Sequence, residues 1–125
     1  MRIFKTRWMA RFARKSGIDD ALLIEAIERA ERGLVDADLG GGVIKQHMGR
    51  PGQGRSGGYR PLIAIRVGDL AVFTFAFAKN ESDNIEYDHL QDLKKVAARW
   101  LPANRSTIAK ALETGDIEEV RNAKK

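Results

Sequence analysis

Apolar positions along this chain change their period three times. Ile3 and Phe4 stand between charged neighbours in residues 2–5, the pattern of a short strand with one side chain facing a core. Trp8 and Phe12 follow, four residues apart among Arg7, Arg11, Arg14 and Lys15, and predict a short helix with an aromatic edge and a basic face. Leu23, Ala26, Ile27 and Ala30 repeat at helical spacing, Ser16-x-x-Asp19 loosely fits a capping box, and Gly33 supplies a stop. A second helix running to about Arg32 is therefore expected. Past Gly40-Gly41-Gly42 the period drops to two. Val43–Met48 alternates, with Ile44 and Met48 on one face and Val43, Lys45 and His47 on the other. A polar loop over Gly49–Gly58 is expected next. Tyr59–Val67 and Leu70–Ala78 are β-rich runs joined by Gly68-Asp69, a glycine-first hairpin signal. Phe73, Phe75 and Phe77 form a one-face stripe that reads as core, and Pro61, lacking an N–H, belongs at a strand start or edge.

The helical period returns at Leu90, Leu93, Val96/Ala97 and Trp100/Leu101 and closes at Pro102. Ser106 can cap a further helix over Ile108, Ala109, Ala111 and Leu112, with Gly115 ending it. The order β-α-α-β-β-β-α-α defines an α+β fold. It is a small antiparallel meander of three strands plus a short N-terminal strand, with two N-terminal helices and C-terminal helices. At 125 residues one domain over 1–125 is expected, with about the last four residues frayed.

Composition narrows the classes. The absence of cysteine excludes a disulfide framework, thiolate zinc sites and cysteine nucleophiles. Leu70–Ala78, the longest apolar run, is far short of the ~20 residues of a membrane-spanning helix. No apolar run of ~7–15 residues follows the basic N-terminus, so a soluble cytoplasmic protein without a membrane partner is expected. The net charge of +5 is unevenly placed: residues 1–16 hold six Lys/Arg and no acid, and 17–38 hold seven acids against two bases. Between Asp38 and Asp69 there is no carboxylate, yet Lys45, Arg50, Arg55, Arg60 and Arg66 lie there. An acid-free basic stretch inside a folded region points to a polyanion partner.

Two apparent nucleotide motifs fail on context. Gly49–Ser56 nearly matches G-x(4)-G-K-[ST], with Arg55 at the lysine position, and Gly52–Gly57 matches G-x-G-x-x-G. Both patterns bind phosphate through a helix that starts directly after them, and a β-run follows here. The glycines have a simpler use, letting backbone amides approach a phosphate while Arg50, Arg55 and Arg60 supply charge. Lys45, Tyr59 and Lys79 bracket this block. Of the two histidines, His89 reads as a surface residue, and His47 shares a strand face with Lys45 as a candidate general base. No His/Asp/Glu cluster has metal-ligand spacing, so no metal or cofactor is expected and a divalent-metal nuclease is disfavoured. RNA carries its own nucleophile. Its 2′-hydroxyl needs alignment, a proton acceptor, a leaving-group donor and cations around the phosphorane, which basic residues and a tyrosine can provide.

The residues Gly41-Gly42-Val-Ile-Lys45-Gln, Arg50-Pro-Gly-Gln-Gly-Arg-Ser-Gly-Gly-Tyr-Arg60 and Phe77-Ala-Lys79-Asn-Glu81 resemble the RelE/HigB-like toxins of type II toxin–antitoxin modules, within the RelE/ParE superfamily. The resemblance covers essentially the whole chain and implies a small toxin that cleaves translated mRNA in the ribosomal A site without metal. It implies a cognate antitoxin, often with a helix-turn-helix, that neutralises the toxin and contacts operator DNA. Carried over by position, Lys45, Arg60, Lys79 and Tyr59 are the implied catalytic set. Arg50, Arg55, His47 and Arg66 are the implied RNA ligands. Two positions depart from the family pattern: His47 stands where many relatives carry arginine after Lys-Gln, and Ser82 stands where they read Asn-Glu-Arg. A gyrase poison of the ParE type on the same fold, and a catalytically weakened RNA- or ribosome-binding homologue, are the alternatives.

Overall fold

The computed structural model describes residues 1–50, 54–78 and 87–121, with the side chains of 49–50, 54–57 and 87–89 outside the described set. In chain order the elements are β1 (Arg2–Thr6), α1 (Arg7–Ser16), α2 (Asp20–Glu31), β2 (Ala37–Gly40), β3 (Val43–Lys45) and β4 (Met48–Arg50). They continue with β5 (Gly54–Arg66), β6 (Leu70–Ala78), α3 (Tyr87–Trp100), α4 (Arg105–Thr114) and β7 (Ile117–Glu119). One α+β sheet runs β2-β3-β5-β6-β1-β7, and β4 pairs with β5 beside it. All pairs are antiparallel except β1 with β6, which run parallel.

Each sheet face has its own helix pair. Met9, Ala13, Ile18, Leu23, Ala26 and Ile27, from α1, α2 and their connection, pack on Ile44, Met48, Tyr59, Ile63, Ala71 and Phe73. Ala97, Trp100, Ala103, Ile108 and Ala111, from α3, α4 and their connection, pack on Phe4, Val43, Ala64, Leu70 and Val72. Adjacent residues of β5 and β6 enter opposite cores, as a period of two requires.

Caps differ from the expectation at two helices. Asp19, not Ser16, caps α2, its carboxylate accepting from the Leu22 N–H at 3.1 Å, while Ser16 closes α1. Asn104, not Ser106, caps α4 by accepting from Thr107 N–H at 2.9 Å, because α4 starts one residue earlier than Ser106. The Thr6 hydroxyl accepts from the Met9 N–H to start α1 and donates to the Thr74 carbonyl at 3.0 Å.

The strands differ in three ways. Val43–Met48 divides into β3 and β4, yet one register on β5 continues through both: Val43↔Ala64, Ile44↔Ile63, Lys45↔Leu62, then Met48↔Tyr59. Gln46 N–H bridges the break by donating to the Pro61 carbonyl at 3.2 Å. The expected loop is shorter than Gly49–Gly58, because β4 folds back on β5 and β5 already begins at Gly54. The phenylalanine stripe is interrupted. Pairing with β5 slips between Phe73 and Phe75, leaving Thr74 as the extra residue of a bulge, so Ala76 and Ala78 continue the core that Phe73 enters. The Thr74 hydroxyl donates to the Leu62 carbonyl at 2.8 Å.

The edge strands β2 and β7 were absent from the sequence expectation. They are four and three residues long and carry Asp38, Glu118 and Glu119, which is how natural sheets blunt their edges. At the β2–β3 turn, Gly40, Gly41 and Gly42 all have positive φ. A Cβ on Gly42 would lie 2.5 Å from Leu101 Cδ1, so this turn needs glycine both for its backbone and for space under α3.

Candidate nucleic-acid interface

Folding sorts the cations into neutralised and unpaired groups. In the N-terminal basic run, Arg2 pairs with Glu119 at 3.1 Å, Lys5 with Asp20 at 2.9 Å, Arg7 with Asp116 at 3.2 Å and Arg14 with Glu118 at 3.3 Å. Three of these four acids belong to β7 or the residue before it. The Arg2 hydrogen bond, with the charges of Arg2 and Arg121, holds the Glu119 carboxyl below its ordinary range despite some opposing desolvation. A depressed folded pKa contributes stability above the unfolded value of ~4.3 and loses it as pH falls through the folded value. Glu119→Gln is therefore expected to flatten the acid side of the Tm-versus-pH curve below pH ~4.3, by under about 1 kcal/mol for so exposed a pair.

Arg66 is also committed to the fold. Its guanidinium donates to both Asp69 carboxylate oxygens at 2.8 and 2.9 Å, to Leu101 O at 2.8 Å and to Ala103 O at 2.9 Å. The Arg66 hydrogen bond lowers the Asp69 pKa, and the Asp69 hydrogen bond raises that of Arg66. Arg66 thus ties the β5–β6 turn, at the end of β5, to the α3–α4 connection. Four of its five guanidinium N–H groups already have acceptors within the fold.

Register relates Lys45, His47 and Arg60. Continuous register places Lys45 opposite Leu62 and, two residues on, His47 opposite Arg60. Cross-strand partners share a face, so all three stand on the α3–α4 side of the sheet, beyond the part that Ala97 and Trp100 cover. Among the described residues, neither Lys45 nor Arg60 has a carboxylate partner, and the Arg60 Nη1 is buried with no hydrogen-bond acceptor. Tyr59 lies on the other face. It is 8% exposed within the α1–α2 core, its ring edge-on to Phe12 at 5.3 Å. The implied catalytic place of Tyr59 is thus on the opposite side of β5 from Arg60.

Three supporting residues carry no role readable from the sequence, although Gln46 falls between Ile44 and Met48 on the core-facing parity. Gln46 is fully buried: its amide donates to Ala26 O at 3.1 Å and Leu34 O at 3.0 Å, and its carbonyl accepts from Asp36 N–H at 2.9 Å. Buried Arg29 of α2 donates to the His47 carbonyl. Asp36 Oδ2 lies 2.7 Å from His47 Nδ1. Arg50 and Arg55 lie in β4 and β5, with side chains outside the described set; Lys79 and Ser82 lie outside the described residues.

A mostly antiparallel sheet between two helix pairs, with basic residues clustered on one face, is the architecture of a small RelE-like toxin. The family model for the RelE toxin of RelE/RelB toxin–antitoxin systems matches residues 1–120, and the chain belongs to that family. Toxins of this family have a cognate antitoxin and are generally endoribonucleases. No curated protein and no solved structure gives a significant match. Among the described residues, no helix is long and apolar enough to cross a membrane.

Proposed function

We propose that this protein is a cytoplasmic, ribosome-dependent mRNA endonuclease held in check by its antitoxin. Lys45, Arg60 and Lys79 surround the scissile phosphate, and Arg50 and Arg55 bind the RNA backbone. Tyr59 and Arg66 are left out because each is engaged within the fold. The observation that carries the reading is the Arg60 guanidinium. It has no carboxylate partner among the described residues, and a guanidinium fork free of carboxylates binds phosphate oxygens bidentately. Charge developing on a pentacoordinate phosphorus is what unpaired cations on a fixed sheet face can stabilise without reorganising. The antitoxin, with a helix-turn-helix, would carry the contact with operator DNA.

The test is induced expression with primer-extension mapping of a reporter mRNA, with and without its start codon. Cuts confined to the translated message are expected, and Lys79→Ala should remove them together with growth arrest. Growth arrest with intact mRNA and double-strand DNA breaks would instead identify gyrase as the target. Intact mRNA with neither effect would mark a toxin homologue that binds without cutting.

A further inference from the structure

We propose that His47 is the proton acceptor for the RNA 2′-hydroxyl and that Asp36 is its positioning residue; this rests on the endonuclease reading above. Asp36 Oδ2 and His47 Nδ1 are 2.7 Å apart. The carboxylate accepts the Nδ1 proton, so the neutral ring keeps its lone pair at Nε2. A carboxylate partner at one ring nitrogen is how a histidine is held in one tautomer and one orientation for proton transfer at the other.

The backbone on both sides of the pair is fixed. Arg29 of α2 holds the His47 carbonyl, and the same buried Gln46 that hydrogen-bonds Ala26 and Leu34 accepts from the Asp36 N–H. His47 is 28% exposed at its side chain, so the ring is steadied by the fold while remaining reachable. The charged groups facing it are Asp36 ahead of β2, Arg29 of α2 at its carbonyl, Lys45 two residues back on the same face and Arg60 opposite on β5. The register that pairs Lys45 with Leu62 and Met48 with Tyr59, continued through the break, puts the proton acceptor on the strand position facing Arg60, the candidate phosphate ligand.

The step balances as follows. The 2′-hydroxyl gives its proton to His47 Nε2 as its oxygen forms a bond to phosphorus. The P–O5′ bond breaks with its electron pair on O5′, which takes a proton from water. A 2′,3′-cyclic phosphate and a 5′-hydroxyl result, and the imidazolium returns its proton to the hydroxide left by that water.

The experiment is single-turnover cleavage on programmed ribosomes from pH 5.5 to 8.5. It compares wild type, His47→Gln, His47→Arg and Asp36→Asn, each checked for fold by circular dichroism. Wild type should show a rate that falls on the acid side. His47→Gln should lose about 10²–10⁴-fold and its acid limb, the scale of one general base. His47→Arg retains positive charge for RNA but not a proton-accepting nitrogen, so it should lose as much. Asp36→Asn should lose roughly 10–100-fold, the scale on which orienting partners of metal-bound histidines act. A His47→Arg variant at or above wild-type rate would overturn the proposal, leaving position 47 as an electrostatic RNA contact. So would a wild-type profile without an acid limb. Wild type that cuts no message would overturn the endonuclease reading itself, and the proposal with it.

Discussion

Arg60→Met is expected to abolish growth arrest and lower cleavage of translated mRNA by about 10²–10³-fold, while leaving the protein at least as stable as wild type. The functional loss is that of one preorganised charge donor at a developing oxyanion. The stability gain has a separate cause. Arg60 is half-buried, and its Nη1 is enclosed without an acceptor among the described residues. Methionine keeps most of the apolar stem that packs on the sheet and removes the unpaired donor, so about 1 kcal/mol of stabilisation is expected. Opposite movement of activity and Tm is the signature of a residue retained for a ligand rather than for the fold. A fully toxic Arg60→Met would remove Arg60 from the site. A sharp fall in Tm would show that the guanidinium is satisfied in solution by a partner of its own.

The second large effect concerns Gln46→Leu. Leucine is close in volume and apolar, which favours burial, but it supplies neither the two N–H donors nor the acceptor of the native amide. Ala26 O, Leu34 O and Asp36 N–H would then lack their partner at a position with no solvent exposure. Each such group costs about 1–3 kcal/mol, partly relieved by relaxation, so a net loss of about 3–5 kcal/mol is expected. Against a typical total of about 5–15 kcal/mol this is severe, and thermal unfolding should shift down by roughly 10–20 °C. Chemical denaturation should show a lower midpoint with an unchanged slope. A change below about 1 kcal/mol would mean that water enters and replaces the amide.

The parity of the strands is legible in the sequence. Alternation in Val43–Met48 puts Ile44 and Met48 on one face, and in β5 it sets Tyr59 apart from Arg60; Ile44, Met48 and Tyr59 do enter the same α1–α2 core. The helices were readable for the same reason, since their apolar stripes repeat at 3.6 residues and glycine marks the ends of α1 and α4. Expectation failed where the deciding partner is remote. The caps Asp19 and Asn104 each compete with a neighbouring serine, and only the helix start chooses between them. The bulge at Thr74 is a two-strand property, invisible in the period of β6 alone.

Charge shows the division most clearly. Sequence alone marked both residues 1–16 and the stretch between Asp38 and Asp69 as basic and acid-free. Tertiary structure separates them, because β7 returns beside β1 and brings Glu119 to Arg2 from 117 residues away. Nothing comparable reaches Lys45 or Arg60 among the described residues, whereas Asp36 comes to His47 only because β2 folds back on β3. Local patterning therefore determined the α+β class and which side chains share a face. Pairing between distant segments decided which cations are neutralised and which histidine nitrogen is held. The physical reason is that Coulomb and hydrogen-bond partners must lie within a few ångströms, a separation that chain connectivity does not specify.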